Sequence, residues 1–465
     1  MTLMILMGII PAMKSSARIV TISVVLCACP DASTTSATDV SSTGTQGTVD
    51  GGSTDTMVTA PTGSSTGVDV TTTSETGTDT AAVSCGNGAI DDVEACDDGN
   101  LVNGDGCNKD CTVSAALVWE YRSGLKGDDS FRGVASTVDG KIFAVGARFV
   151  EGNQARWVTQ FQDHDQAPVW AETYDNGQFE GALAVGVQGS AIYVAGAASP
   201  SGDKDAWVGQ LDLDGKIIWE EVVDSGFGDD FVTNLSVSPE GGVVVAGVIS
   251  LDGGLAATWT RRYGASGDVQ WTHEVAINAA ALYTVGPGVV VTAEQVVVGA
   301  YRSPEPDAYQ AVLFAYPPSG GEPSWMVDLP TKGGVFGVAS DPGGDVALVL
   351  QDVPLKFVVH RASSMGKVLW SSTQCSGEIG SAVAIDSQGD IVAIGGGPGA
   401  TGMNIRLCKF SAEGELRWGK DLDSGLGDDR GLSVAILPDD RIVASGHMWG
   451  GEEERTDAWL AVFTP

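Results

Sequence analysis

Eight carboxylates occur in five Gly- and Asp-rich loops in the C-terminal three quarters of the chain, and these side chains are suited to bind a cation. We call this set the acidic rim: Asp128, Asp129, Glu180, Asp229, Asp230, Glu378, Asp428 and Asp429. Carboxylate oxygens are the ligands that calcium prefers, and carboxylates that converge on a narrow opening concentrate negative potential there. The acidic rim therefore predicts a site for calcium or a cationic ligand. The alternative interpretation is that Asp and Gly form turns and keep the surface soluble.

Catalytic patterns are weak by comparison. The four histidines, His164, His273, His360 and His447, occupy different positions within the repeats described below and have no metal-ligand spacing. The repeat region, residues 116–465, contains no G-x-S-x-G nucleophile motif. Acidic pairs alone are too frequent in this chain to identify an acid/base dyad. These observations favour a protein that binds a ligand without transforming it.

The loops belong to a repeat that is marked by tryptophan. Seven tryptophans recur 45 to 54 residues apart, at Trp119, Trp170, Trp219, Trp271, Trp325, Trp370 and Trp418. Each repeat contains four short runs of β-branched or alternating residues bounded by Gly and Asp, which indicate strands and hairpins. Four strands in about 50 residues form the unit of a propeller blade. We expect the seven tryptophans to pack between neighbouring blades.

The two ends of the repeat region predict how the ring closes. The chain ends after a run that matches the third strand of a blade, and the first run, 116–121, matches a fourth strand. We therefore predict an all-β, seven-bladed propeller over residues 116–465, in which the N-terminal strand completes the last blade. Asp205, Asp307 and Asp457 open third strands and are expected on the same face as the acidic rim.

The repeat resembles the bacterial β-propeller repeat family of exported proteins. The likeness rests on Asp139-Gly140-Lys141-Ile142 with its following strand, and on Asp205-Ala206-Trp207-Val208. The Gly-x-x-x-Trp segments, such as 215–219, are also similar to those of quinoprotein-like propellers with docking tryptophans. Both resemblances imply the propeller fold. Neither identifies a function, because one fold serves many functions.

The balance of charge excludes one class of partner. The chain of 465 residues has 60 acidic and 25 basic residues and a net charge of −35. Binding to nucleic acid requires Lys and Arg that neutralise phosphates. We therefore expect no nucleic-acid partner.

The N-terminal residues have the pattern of an export signal. A short basic stretch after Met13 leads into the apolar run 19–26 and then Leu26-Cys27-Ala28-Cys29. This segment resembles a bacterial lipoprotein signal, which implies Met13 as the start, lipid attachment at Cys29 and a cell-envelope location at the outer membrane or the cell surface. An ordinary cleaved signal over residues 1–29 is the alternative interpretation.

Residues 30–84 are expected to form a disordered tether. They contain 26 Ser or Thr among 55 positions and no Lys or Arg. Such a segment has too little apolar surface to offset the entropy lost on ordering. It would separate the lipid anchor from the folded part of the chain.

Residues 85–112 form a small module that contains Cys85, Cys96, Cys107 and Cys111. A segment this short cannot build a core without cross-links, so we expect two disulfides with three pairings open. Zinc binding is the competing interpretation. The text CGNG…ACDDGN…GDGC…C resembles a short Cys-rich repeat of secreted myxobacterial proteins, which implies an extracellular disulfide module. Its Asp and Asn oxygens suit either calcium or turn formation.

Two further cysteines, Cys375 and Cys408, lie in one repeat, where a disulfide and two buried thiols are both open.

The sequence thus predicts a lipid-anchored, surface-exposed binding protein for an unidentified protein, peptide or glycan, with calcium as the metal suggested for the acidic rim. Trp449 and Tyr301 are the aromatic residues expected on a binding face. Two alternatives remain open at this point. One is an extracellular hydrolase or lyase with carboxylates at the channel opening, and the other is an envelope-assembly scaffold similar to quinoprotein-like lipoproteins.

Overall fold

The computed structural model describes residues 85–91, 94–176, 178–200, 202–277, 286–305, 308–451 and 455–465. The predicted signal, the predicted lipidation site Cys29, the predicted tether 30–84 and Asp307 lie outside these residues. Among the described residues, no helix has the length and apolar composition needed to cross a membrane.

The described chain folds into seven four-stranded antiparallel sheets, which confirms the predicted all-β propeller. We letter the four strands of each blade A, B, C and D in the order in which they lie side by side in the sheet, and the strands of each blade are given below in that order. Blades 1 to 3 contain β2 (Ser130–Ser136), β3 (Lys141–Val150), β4 (Asn153–Gln162) and β5 (Trp170–Tyr174); β6 (Glu180–Gln188), β7 (Ala191–Ala198), β8 (Asp205–Leu211) and β9 (Ile217–Val223); and β10 (Phe231–Val237), β11 (Val243–Leu251), β12 (Leu255–Tyr263) and β13 (Val269–Ala276). Blades 4 and 5 contain β14 (Gly288–Val291), β15 (Val296–Glu305), β16 (Ala308–Tyr316) and β17 (Trp325–Asp328); and β18 (Gly333–Ser340), β19 (Val346–Asp352), β20 (Lys356–Ala362) and β21 (Val368–Ser372). Blades 6 and 7 contain β22 (Ile379–Ile385), β23 (Ile391–Pro398), β24 (Met403–Phe410) and β25 (Leu416–Leu422); and β26 (Arg430–Ile436), β27 (Ile442–Gly451), β28 (Arg455–Phe463) and β1 (Leu117–Arg122).

The ring closes as predicted, because β1 is the D strand of blade 7. It pairs antiparallel with β28, from Leu117 opposite Phe463 to Arg122 opposite Trp459. One sheet thus joins the first strand of the propeller to the last, and blade 7 has four strands like the other six.

The core lies between blades. The B and C strands carry runs of Val, Ile and Ala that are buried on both faces; all but the last of the nine residues of β11 are buried. The D strands alternate between half-buried and exposed residues, as β9 shows. Strands covered on both sides read as continuous apolar runs, whereas strands covered on one side alternate.

A glycine in the B strand of five blades permits the close approach of the A strand. A Cβ atom at Gly146, Gly196, Gly247, Gly395 or Gly446 would lie 1.8–2.0 Å from a backbone carbonyl oxygen of the A strand. At each of these glycines the register shifts by one residue, which marks a β-bulge. The repeated glycine is therefore required by the bulge rather than by a turn.

We expect Gly395→Ala to lower the free energy of unfolding by about 1–3 kcal/mol, because the new methyl group collides with backbone that cannot move aside. Gly419→Ala in the same blade is the matched control, since its Cβ would meet only Cys408 Sγ at 3.6 Å. Urea denaturation of the two variants provides the measurement. Equal losses in both would show that the close approach at Gly395 is unimportant.

The D-strand tryptophans contact the next blade. The indole N–H of Trp170 donates to Leu213 O at 3.0 Å, and that of Trp370 donates to Ala412 O at 2.9 Å. Both acceptors lie in the C–D turn of the following blade. Trp119 is buried and the other six tryptophans are half-buried. The indole N–H of Trp418 has no partner, because blade 7, which follows it, has chain ends in place of a C–D turn.

The Cys-rich module contains two disulfides, Cys85–Cys111 and Cys96–Cys107. Among its acidic residues, Asp97 accepts hydrogen bonds from the backbone N–H groups of Gly86, Asn87, Gly88 and Gly99. This carboxylate therefore organises the turns. The segment that follows the module is bound to the propeller: Ala115 N donates to Pro465 O, and Lys420 Nζ donates to Ala115 O.

A third disulfide joins Cys375 to Cys408 and resolves the alternative that the sequence left open. It connects the loop before β22 to β24 within blade 6. Both cysteines are buried among Val349, Val383 and Phe410. The cross-link therefore fastens the loop to the apolar core between blades 5 and 6.

Candidate functional site

The antiparallel order of each blade places two sets of loops at one end of the ring. The loop from a D strand to the next A strand and the loop from a B strand to its C strand both lie at this end, which we call the D–A face. The described residues of the acidic rim lie in or next to the D–A loops. The structure shows what each of their carboxylates contacts.

The second aspartate of each Gly-Asp-Asp loop is buried. Asp129, Asp230 and Asp429 have no solvent exposure. Asp429 accepts hydrogen bonds from Ser424 N at 2.5 Å and from Trp449 N at 2.8 Å. Asp230 and Asp129 accept equivalent bonds from the backbone N–H groups of Ser250 and Phe149, at 2.7 Å each. Each of these carboxylates thus binds its own loop to the end of the following B strand.

The first aspartate of each pair faces the preceding blade. Asp229 accepts a hydrogen bond from Lys204 N at 2.9 Å, and Asp428 accepts one from Met403 N at 2.8 Å. Asp128 accepts one from Thr456 Oγ1 and forms an ion pair with Arg455. The Gly-Asp-Asp loop therefore connects the C strand of one blade to the B strand of the next. It performs this at three of the seven blade junctions.

The side chain of Glu180 also forms an internal contact. It is 2% exposed and forms a two-point ion pair with Arg156, with oxygen–nitrogen distances of 2.9 and 3.2 Å. The Arg156 guanidinium lies 3.7 Å from the ring centroid of Trp207 in blade 2. Blades 1 and 2 are therefore joined by a buried ion pair. Glu378 is half-buried, and its backbone N–H donates to Gly396 O.

Burial governs the ionisation of these carboxyls. Burial raises the pKa of Asp129 to about 6, against the lowering effect of the Phe149 N–H and the Arg148 charge. Burial likewise raises the pKa of Asp230 and Asp429 above the usual range of aspartate. A raised pKa in the folded state means that the folded protein holds this proton more tightly than the unfolded chain, so the stabilising effect of that proton is lost as the pH rises through the folded pKa.

The eight carboxylates of the acidic rim do not form one group at metal-bonding distance in the described part of the chain. Only one group of three potential ligands is present there: Asp205, Asp224 and Asp230, with one carboxylate oxygen of each within 4.8 Å of the others. Burial, together with the charges of Asp224 and other nearby aspartates, raises the pKa of Asp205 to about 6. No metal-ligand set containing a histidine occurs in the same residues.

Sequence reasoning missed Asp224. This residue precedes Ser225-Gly226 and looks like an ordinary turn former. The signal that could have found it is recurrence, because Asp-Ser-Gly-x-Gly-Asp-Asp occurs at 224–230 and again at 423–429. Turn formation alone does not require an aspartate at the same distance from the acidic pair in both loops. The recurrence of this aspartate therefore indicates a further role.

Apolar side chains are exposed among these carboxylates. Phe227 and Leu426 occupy the variable position of the two Asp-Ser-Gly-x-Gly-Asp-Asp loops and are 57% and 60% exposed. Four further exposed apolar residues lie at B–C connections of the same face: Phe149, Leu255, Val353 and Leu355. The D–A face therefore combines negative charge with exposed hydrophobic surface.

The two aromatic residues expected on a binding face are placed differently. Tyr301 is 2% exposed and lies 6.0 Å from Tyr309, centroid to centroid, so it is part of the interior. Trp449 is half-buried against the Gly427 backbone. The prediction for Tyr301 is wrong because it treats this residue as part of a loop, whereas Tyr301 lies in the long strand β15.

Comparisons with known proteins show the fold alone. No protein-family model matches the chain, and no curated protein matches it. The polysaccharide lyase Uly1 has a similar structure with a TM-score of 0.50 and 11% identity, covering 72% of this chain and 90% of the lyase. Chaetomium thermophilum Sqt1, bound to the N-terminus of ribosomal protein L10, gives a TM-score of 0.44 and 12% identity over 76% of this chain and all of Sqt1. BamB from Moraxella catarrhalis gives 0.37 and 12%, over 76% of this chain and all of BamB. Of these three, Uly1 alone reaches a TM-score of 0.50, and its similarity concerns the fold.

Proposed function

We propose that this protein is a non-catalytic binding module whose D–A face binds a basic segment of a partner protein or peptide. The observation that carries the proposal is the paired exposure of Phe227 and Leu426 beside the Gly-Asp-Asp loops. Exposed apolar groups bordered by charge are typical of protein interaction sites. The net charge of −35 favours a cationic partner, since opposite charge accelerates and orients the encounter.

The experiment is a capture of partners from an envelope extract with the wild-type protein, followed by identification of the bound proteins. A Phe227→Ser/Leu426→Ser variant is expected to lose the specific partner. Val138→Ser is the matched control: Val138 is 95% exposed but lies in the A–B turn of blade 1, at the opposite end of the ring.

Binding by the wild-type protein is also expected to weaken as salt is added, because exposed charges are screened. Equal capture by the wild-type protein and both variants would remove the D–A face from the function. Loss with Val138→Ser alone would move the binding site to the opposite face.

We also propose that the protein is held in the cell envelope through a lipid on Cys29. The lipoprotein-like signal in the sequence supports this proposal. Metabolic labelling with a fatty-acid analogue is expected to mark the wild-type protein and to fail with Cys29→Ser. Equal labelling of both proteins would contradict it. This result is independent of the partner, because the labelled position and the D–A face belong to different parts of the chain.

A further inference from the structure

The junction of blades 2 and 3 contains a group of three carboxylates that the inter-blade contacts described above do not explain. Asp205 begins β8, Asp224 follows β9, and Asp230 precedes β10. One oxygen of each lies within 4.8 Å of the others. Asp205 is 1% exposed, and its Oδ1 is buried without any hydrogen-bond partner. A buried carboxylate oxygen without a partner is costly.

The neighbourhood adds negative charge. Besides the three members of the group, Asp203 and Asp229 also act on Asp205 through their charges. Like charges this close destabilise one another unless a proton or a cation intervenes. Asp230 already accepts three hydrogen bonds, from Ser225 N, Ser225 Oγ and Ser250 N. Its position is therefore fixed before any ligand arrives.

We propose that Asp205, Asp224 and Asp230 bind one calcium ion between blades 2 and 3. Calcium forms bonds of about 2.3–2.6 Å to oxygen, so opposed ligands are separated by up to about 5 Å. Donor atoms within 4.8 Å of one another can all reach such an ion. Magnesium demands shorter and more regular bonds, which favours calcium here. The ion supplies the missing partner of Asp205 Oδ1.

The chain provides its own comparison sites. At the junction of blades 6 and 7 the corresponding residues are Asn404, Asp423 and Asp429, so an amide replaces one carboxylate. Asn404 Oδ1 is also buried without a hydrogen-bond partner. At the junction of blades 7 and 1 the corresponding residues are Asp457, Gly124 and Asp129, because Arg122 pairs with Trp459 as Val222 pairs with Trp207. The position of Asp224 therefore has no side chain there. Of these three junctions, only that of blades 2 and 3 has three acids at these positions.

Isothermal titration of the chelator-treated protein with CaCl₂ tests the proposal, together with melting curves with and without calcium. We expect one strong site per chain and a higher melting temperature with calcium. Asp224→Asn and Asp205→Asn are each expected to weaken the affinity by roughly tenfold or more, since affinity follows the number of charged ligands. Asp423→Asn, the matched control at the blade 6–7 junction, is expected to leave it unchanged.

A variant that gains a calcium site provides the more decisive test. Asn404→Asp restores the third carboxylate at the blade 6–7 junction and is expected to raise the number of calcium ions bound per chain from one to two. Because Asp224 is exposed, its variant remains informative if Asp205→Asn does not fold.

Three results would overturn the proposal. The first is the absence of both heat and thermal stabilisation in millimolar CaCl₂, which would mean that a shared proton replaces the cation. The second is an equal loss of affinity in Asp423→Asn and Asp224→Asn, which would indicate diffuse attraction to the D–A face. The third is tighter binding of MgCl₂ than of CaCl₂.

Discussion

Asp429→Ala is expected to lower the free energy of unfolding by about 2–6 kcal/mol, although Asp429 lies in a surface loop of a highly acidic protein. Two backbone N–H groups, those of Ser424 and Trp449, lose their acceptor when the carboxylate is removed. Each unsatisfied buried donor costs about 1–3 kcal/mol. The loss is read from the midpoint of urea denaturation at constant slope.

The neighbouring aspartate provides the control. Asp428 is exposed and accepts a hydrogen bond from Met403 N, so Asp428→Ala should cost less than about 1 kcal/mol. Asp429→Asn retains one carbonyl oxygen and should be intermediate. If both alanine variants had the same small effect, the burial of Asp429 would have no part in holding blades 6 and 7 together.

The second large effect is expected from the ion pair between blades 1 and 2. Arg156→Ala leaves the carboxylate of Glu180 buried without a counter-charge, which typically costs about 3–5 kcal/mol. The stacking of the guanidinium on Trp207 is lost at the same time. Arg156→Met/Glu180→Leu removes both charges and should recover most of the loss, because no isolated charge remains in the interior.

Arg302→Ala is the matched control for this pair. Arg302 and Asp328 form an ion pair at 2.6 Å, but their side chains are 44% and 48% exposed. Exposed pairs contribute about 0–1 kcal/mol. A double variant as unstable as Arg156→Ala would mean that packing, and not charge, accounts for the effect.

The ring was predictable because its signal is periodic. Tryptophans at near-constant spacing give the number of blades, and the mismatch between the two chain ends gives the closing strand. A repeated residue keeps its structural role from one blade to the next, so each copy supports the others. The Cys-rich module was predictable for a different reason, because so short a segment needs cross-links.

Less of the candidate site could be predicted from the sequence, because residues of the same type have different surroundings in the folded protein. In Asp428-Asp429 one carboxylate is exposed and the other is fully buried. The partner of Glu180 is 24 residues away, in a position that does not repeat. A contact that occurs only once in a repeat protein produces no periodic pattern in the sequence, so it cannot be predicted from the repeat. Buried polar contacts of this kind nevertheless determine which of the predicted carboxylate ligands are free to bind a cation.

The closure of blade 7 by β1 has a mechanical consequence. The strand that completes the ring is also the strand that leads to the Cys-rich module, so tension on the chain before Cys85 reaches the ring through Leu117–Arg122. Between Cys85 and β1, the two disulfides of the module limit how far it can extend under tension. Backbone bonds from Ala115 to Pro465 and between Ala116 and Thr464 then clasp the first strand to the last. A pulling force must break these bonds before it can separate β1 from β28, so the junction that closes the ring is reinforced at the point where the force enters it.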